Sequence, residues 1–562
     1  MKEIALLALL AWVPFTLLLF AVLPPRRAVI AAYVGGWLFL PMSAIKLAGL
    51  PDLTKITASS FGILLAVGLF DWRLLLKFRP AWYDLPMLGW CLSPFATSVV
   101  NGLGVYDGAS SVVQQLGLWG IPYLVGRLYF RDLEAFKELG VGIVVGAIVY
   151  LPFCYVEMVI SPTLHQKLYG FVQHSLAQSK RWGGFRPMVF MQSGLALAMY
   201  MTTASLLAGW MWVGGSVRRL GFVPMSVVTA VLCFTQVVVC KTVAASGFMV
   251  IGLAALFWIR SLKSAGGLVA GLPILVLAAI APTYMYLRGS ATLDRDKLID
   301  AFSRVTTEER LQSLSTRMVA EDMVVVRAFD APDPKWGWGK WDPNDLAKTP
   351  WRVYSEYMKP SLDGLEERVL RDSAPTDGLW IITLGQYGTV GLSLLALTIT
   401  LPAFILWRRI PLRFWHHPAV APVAAMSVLL LLHMVDNLLN AMLNPLFMLA
   451  LGGISGIGPA VRSVNRRYGV AAATAVLDQG RSPTAGAYPA GVATPGRGGY
   501  IAQPVGGYAT AGYASGGYAA GGYGVPQFTT PAAGFSGVPG FPSIAGLQAA
   551  APPVQPAGRR GR

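Results

Sequence analysis

The chain has 562 residues, 54% of them apolar and only 13% charged, with a formal net charge of +17. Soluble proteins carry roughly 25% charged residues, so the ionisable surface that water would demand is missing and lipid must cover much of the chain. The basic residues stand in short clusters beside apolar runs and in the C-terminal region. Membrane topogenesis and anionic headgroups account for that distribution, which argues against nucleic acid as a partner.

In chain order, Met1 to Leu23 holds a long apolar run with no small-residue cleavage site before Pro24-Pro25, and it reads as a first span rather than a removed signal peptide. Further apolar runs fall near 28–48, 57–76, 86–103, 110–127 and 138–160, then near 187–213, 220–240, 244–259 and 266–287. The last are near 379–407, 419–437 and 440–461. The expected fold is an all-α polytopic membrane protein of about 12–13 spans. Cys91, Cys154, Cys233 and Cys240 lie within or at the end of apolar segments, with no CxxC or Cys/His cluster, so neither a metal site nor a disulfide framework is expected. Clusters at Arg26-Arg27, Lys77/Arg79, Arg127/Arg131/Lys137, Arg218-Arg219, Arg260/Lys263, Arg408-Arg409/Arg413 and Arg462/Arg466-Arg467 occupy alternate junctions. The positive-inside rule places these in the cytoplasm, with the N-terminus outside and the C-terminus inside. The organisation expected is a transmembrane bundle over 1–287, a large non-cytoplasmic loop over 288–378, C-terminal helices over 379–467 and a tail over 468–562. That tail carries five Gly-Tyr pairs from Gly499-Tyr500 to Gly522-Tyr523. It is too poor in large aliphatic residues to build a core and is expected to be disordered.

The large loop carries the candidate chemistry. Glu308 to Arg327 has helical spacing, with Leu311, Leu314, Met318 and Val325 on one stripe and Arg310, Leu314, Arg317 and Glu321 along a neighbouring line. Two guanidinium groups on one line suit phosphate, whose oxygens they bind in pairs; the competing reading is a solvated face with an Arg317–Glu321 pair. In Pro334-Lys335-Trp336-Gly337-Trp338-Gly339, Trp336 and Trp338 can serve as sugar platforms or as interfacial anchors. Asp377, just before the next span, can accept a proton or cap the following helix. In a shorter outer loop, Lys180, Arg181 and Arg186 stand just before a span, for phosphate binding or for anchoring. Lys241 adds a cation at another junction. His433, Asp436, Asn437 and Asn440 either line an internal cavity or pack the bundle.

These pieces, in this order, resemble the O-antigen ligase and polymerase superfamily of bacterial surface-polysaccharide enzymes. Asp377-Gly378, nine residues to Tyr387, then Gly388 and Gly391 keep the spacing of a family motif whose first position is His. Arg181-Trp182-Gly183-Gly184 with Pro187, Lys241 through Gly247, and Arg310 through Trp338-Gly339 resemble three further family segments. The likeness covers roughly residues 60–460 as architecture. It implies glycosyl transfer in the bacterial inner membrane, needing no metal and no cofactor. A glycan on undecaprenyl pyrophosphate would be the donor and a sugar hydroxyl of a lipid-linked or lipid A-core-like molecule the acceptor, in lipopolysaccharide or other cell-envelope polysaccharide biosynthesis. Arg310 and Arg317 with Asp377 would then be catalytic, and Arg181, Arg186, Lys241, Trp336 and Trp338 would bind substrate. Asp in place of His favours a polymerase or a divergent transferase over a ligase. Two other classes compete: a polysaccharide or lipid-linked-oligosaccharide transporter or flippase, and a non-catalytic scaffold working through the Gly-Tyr tail.

Overall fold

Apolar runs and their caps account for most of the helices. A computed structural model describes residues 2–45, 51–174, 176–181, 183–262, 267–290, 292–293, 298–300, 303, 308–330, 333–339, 378–458, 470, 473–475 and 477. The first half holds α1 (Lys2–Val22), α2 (Pro25–Phe39), α3 (Lys55–Phe70), α4 (Trp72–Leu76), α5 (Leu85–Val100), α6 (Val105–Gln115), α7 (Ile121–Tyr129), α8 (Leu133–Ile160) and α9 (Leu164–Tyr169). The second holds α10 (Gly194–Val213), α11 (Met225–Phe234), α12 (Val243–Ser261), α13 (Gly267–Gly289), α14 (Glu308–Asp330), α15 (Leu379–Arg409), α16 (Ala421–Asp436) and α17 (Pro445–Gly456).

Among the described residues six helices are long and apolar enough to cross a membrane: Glu3–Val22 of α1 together with α8, α10, α12, α13 and α15. Four shorter apolar helices accompany them: Lys55–Phe70, Met225–Val239, Ala421–Asp436 and Pro445–Gly456. The chain is therefore a helical membrane protein. The count of 12–13 asks for more spans than length and composition alone supply, because several expected runs are split. Residues 110–127 are divided by a π turn at Leu116–Gly120, and a second π turn, Thr235–Val239, ends the run begun by α11. Such turns leave the ordinary i→i−4 ladder and recur at functional sites.

Starts and stops follow local chemistry. Thr54 and Thr57 exchange side-chain and backbone hydrogen bonds before α3, and Asp132 and Ser193 accept the Ala135 and Ala196 amides before α8 and α10. The core forms around α10, buried almost all round against α8, α11, α12 and α16. Nearby, α7 and α17 approach until their backbones touch: a side chain at Gly126 would meet the Leu449 carbonyl, and one at Gly452 the Tyr123 carbonyl. The β structure comprises two short antiparallel hairpins, β1 (Lys180–Arg181) with β2 (Gly184–Phe185) and β3 (Arg219–Leu220) with β4 (Val223–Pro224). In the first, Lys180 lies opposite Phe185 and Arg181 opposite Gly184.

One helix is broken. Gly388, inside α15, has φ 63° and ψ −164°, a conformation essentially closed to residues with a side chain. The segment 334–339 docks against this break. The amides of Trp338 and Gly339 donate to the carbonyls of Gly385 (2.9 Å) and Gln386 (3.0 Å). In return, Thr389 and Val390 donate to Pro334 (3.2 Å) and Lys335 (3.1 Å). Asn101 Nδ2 fixes the far side through the Gly337 carbonyl at 2.9 Å.

Candidate functional site: a cationic cluster beyond the end of α8

The site is built on the last three turns of α8. Glu157 is buried, and its carboxylate accepts the amides of Leu164 (3.0 Å), Met188 (2.8 Å) and Val189 (2.7 Å). One face further back, the Tyr150 hydroxyl accepts the Phe190 amide at 2.9 Å and donates to the Leu38 carbonyl. Two side chains of one helix thus hold three successive amides of the segment between β2 and α10. His165 completes the floor. Its Nε2 accepts the Met42 amide (3.1 Å), so Nδ1 carries the proton and donates to the Phe171 carbonyl (3.0 Å). Burial holds this imidazole down at about 4, with the neighbouring Lys55 charge acting in the same sense and the Phe171 bond opposing it. It is a neutral structural histidine.

Arg186 leaves this floor and lies against Gly194, the first residue of α10; any side chain at Gly194 would collide with its Nε. Arg181 is close enough to repel it, and no carboxylate or hydrogen-bond acceptor partners the Arg186 guanidinium among the described residues. Burial first and Arg181 second lower it to about 10. Lys241 comes from the turn between the Thr235–Val239 π turn and α12. Its Nζ donates to the Arg181 carbonyl at 3.1 Å and touches the space above Gly184. Three cations from two segments therefore converge near a helix N-terminus, whose own partial charge is positive. For the isolated protein the arrangement is unfavourable, and an anion would relieve it.

The neighbouring wall comes from 437–444 and α14. Ser193, the cap of α10, contacts Met442 Sδ at 3.9 Å, and Arg317 Nη1 reaches the Leu439 carbonyl at 3.5 Å. The Asn437 and Asn440 carbonyls accept the first amide of α15, that of Leu379 (2.9 and 3.2 Å), so this turn also seats the start of the broken helix. The Asp436 carboxylate takes the Asn440 side-chain amide at 2.9 Å and lies within electrostatic reach of Arg317. Arg288, at the end of α13, pins α14. Its Nε lies 3.5 Å from Glu321, its Nη2 2.5 Å from Asp322 and 3.3 Å from the Met318 carbonyl. Tyr284 donates to Glu321 at 2.9 Å and packs edge-on against Trp380. Burial raises Glu321 to about 7, with Arg288 and the Tyr284 hydrogen bond opposing. Beyond it, the Arg327 guanidinium covers one face of Trp338, 4.5 Å from the ring centroid.

The structure therefore brings Arg181, Arg186 and Lys241 together and links them, through Ser193 and Met442, to the turn that Arg317 reaches. Trp336 and Trp338 belong to the segment docked at Gly388, where the Trp338 amide donates to the Gly385 carbonyl of α15. Asp377 and the side chain of Arg310 lie outside the described residues. The sequence reading missed Glu157, Arg288 and Tyr284 as parts of this end of the molecule. Glu157 was concealed as one acid inside an apolar run, and Arg288 as a junction residue. It offered Glu321 as a partner for Arg317, whereas Glu321 is bound by Arg288 and Tyr284. Among the described residues no group of three or more His, Cys, Asp or Glu side chains forms a candidate metal site. No family model, no curated protein and no solved structure matches this chain.

Proposed function

We propose that the protein is a membrane glycosyltransferase of the O-antigen ligase or polymerase type, acting on a glycan carried by a polyprenyl diphosphate. Arg186 carries the reading: a half-buried guanidinium with a like charge beside it, a helix N-terminus beneath it and no counter-charge among the described residues. A diphosphate leaving group supplies the missing charge. As the acceptor hydroxyl attacks the anomeric carbon, the bond to the diphosphate breaks and its electron pair stays on the leaving oxygen. Arg186, Arg181, Lys241 and Arg317 stabilise that growing charge, while the hydroxyl proton passes to a base. The resemblance gives that role to Asp377.

Topology supports the same reading. Arg26, Arg127 and Arg409 gather toward the opposite end of α8, which the positive-inside rule assigns to the cytoplasm, so the cluster faces the other compartment, where lipid-linked glycans are joined. One observation favours a transporter, the discontinuous α15, since broken helices recur in transport proteins. Its break, however, is filled by the backbone of 334–339 rather than left open for a substrate. The test is titration of the purified, folded protein with a polyprenyl-diphosphate glycan, followed by a transfer assay. Binding and transfer should be lost in Arg186→Ala and Arg317→Ala; a wild-type sample with no affinity for the donor removes the proposal, and transbilayer movement without transfer would establish the transporter.

A further inference from the structure

Three residues other than glycine have positive φ among the described residues: Ser161 (110°), Val189 (52°) and Lys241 (46°). Lys241 belongs to the cationic cluster, and Val189 and Ser161 both bond to Glu157 beneath it. Ser161 ends α8, one turn beyond Glu157, and its amide donates to the Glu157 carbonyl. Val189 gives its amide to the Glu157 carboxylate, and Lys241 holds the Arg181 carbonyl. Left-handed backbone is costly for any side chain and most of all for a β-branched one such as valine, so something must hold Val189 there.

Two groups hold it: the Tyr150 hydroxyl, through the Phe190 amide, and the Glu157 carboxylate. One oxygen, Oε2, collects the consecutive amides of Met188 and Val189, while Oε1 takes Leu164. Converging two successive N–H groups on one anion is the geometry of a backbone nest, in which neighbouring residues adopt right- and left-handed conformations. No side-chain cation pairs with this fully buried carboxylate among the described residues; its charge is met by the three amides alone. A buried ion is an expensive tie for a loop. What it achieves is orientation: the nest opens two residues after Arg186, and Pro187 between them limits how far Arg186 can swing.

We propose that Glu157 is a positioning residue of the anion site, setting the Arg186 guanidinium against the start of α10 through the amides of Met188 and Val189. The role as part of an anion site rests on the diphosphate reading above; the positioning itself does not. Two measurements on the full chain in detergent separate them. Phenylglyoxal labelling, read by peptide mass spectrometry with exposed Arg73 as the control, reports Arg186 directly. Glu157→Gln should raise Arg186 labelling at least about fivefold by freeing the segment, with Arg73 unchanged. Unchanged Arg186 labelling overturns the proposal whatever the ligand.

Titration with inorganic pyrophosphate then reads function. Glu157→Gln should weaken binding about tenfold in the folded fraction, and Glu157→Gln/Arg186→Ala should bind no worse than Arg186→Ala, because the first residue acts through the second. A role in folding alone would lower the yield of folded protein, leave the affinity of the folded fraction unchanged and likewise overturn the proposal. Raised Arg186 labelling in a protein that binds no pyrophosphate would overturn the anion-site role and uphold the positioning. Should Glu157→Gln not fold, Glu157→Gln/Val189→Gly, which removes the left-handed strain, carries the same readouts.

Discussion

The two ends of α8 treat positive charge in opposite ways. Near Leu133, Arg26 pairs with Asp132. Arg127 meets both oxygens of Asp84, at 2.8 Å from Nε and 3.1 Å from Nη2, with the Tyr123 hydroxyl 2.7 Å from the same carboxylate. Arg409 takes the Ser455 carbonyl at 2.9 Å and that of Ile457, at the end of α17. Beyond Ile160, Arg186 has a like-charged neighbour and no acceptor among the described residues, and the buried anion, Glu157, spends itself on backbone amides. Paired charge at the first end joins helices. Charge held apart at the second stores an electrostatic demand that a ligand can meet.

That contrast can be broken by measurement. Arg127→Ala leaves Asp84 buried without its partner and should cost about 3–5 kcal/mol, read from denaturant unfolding in detergent; a loss below about 1 kcal/mol would make the pair ornamental. His165 comes next. Its folded value near 4 lies below the ordinary 6.5, so the unfolded chain binds the extra proton between those values. Its stability contribution is therefore complete above pH 6.5 and is lost as pH falls toward 4, by up to about 3 kcal/mol. His165→Gln should flatten that slope in thermal unfolding followed from pH 7.5 to 4.

Gly388→Ala forces a side chain into a conformation reserved for glycine and onto the Lys335 carbonyl, at about 1–3 kcal/mol. Faster amide exchange at Trp338 and Gly339 should accompany it. Smallest of all, Arg186→Ala should change stability by less than about 1 kcal/mol, and in the favourable direction, because it removes a cation from a helix N-terminus. A large destabilisation there would erase the distinction between the two ends.

What the sequence disclosed depended on how far apart the interacting residues lie. α8, α10, α12, α13 and α15 were legible as apolar runs, and α14 as a repeating stripe, because periodicity is local. Arg181 and Arg186 stood out because they share one short segment. The capture of Met188 and Val189 by Glu157 spans more than thirty residues, and Asn101 reaches Gly337 across 236. Neither leaves a local signature. Within the family-like spacing Tyr387-Gly388-Gly391, glycine could be seen, but not the backbone that fills the break.

The junction at Gly388 also bears on biogenesis. Residues 334–339 leave the ribosome before α15 and supply the hydrogen bonds that α15 lacks at its break. The final helices therefore cannot complete their own backbone pairing as an autonomous fragment. A polypeptide begun at Gly378 would enter lipid with unpaired amides and carbonyls, whereas one begun at Asp333 would bring the matching segment with it.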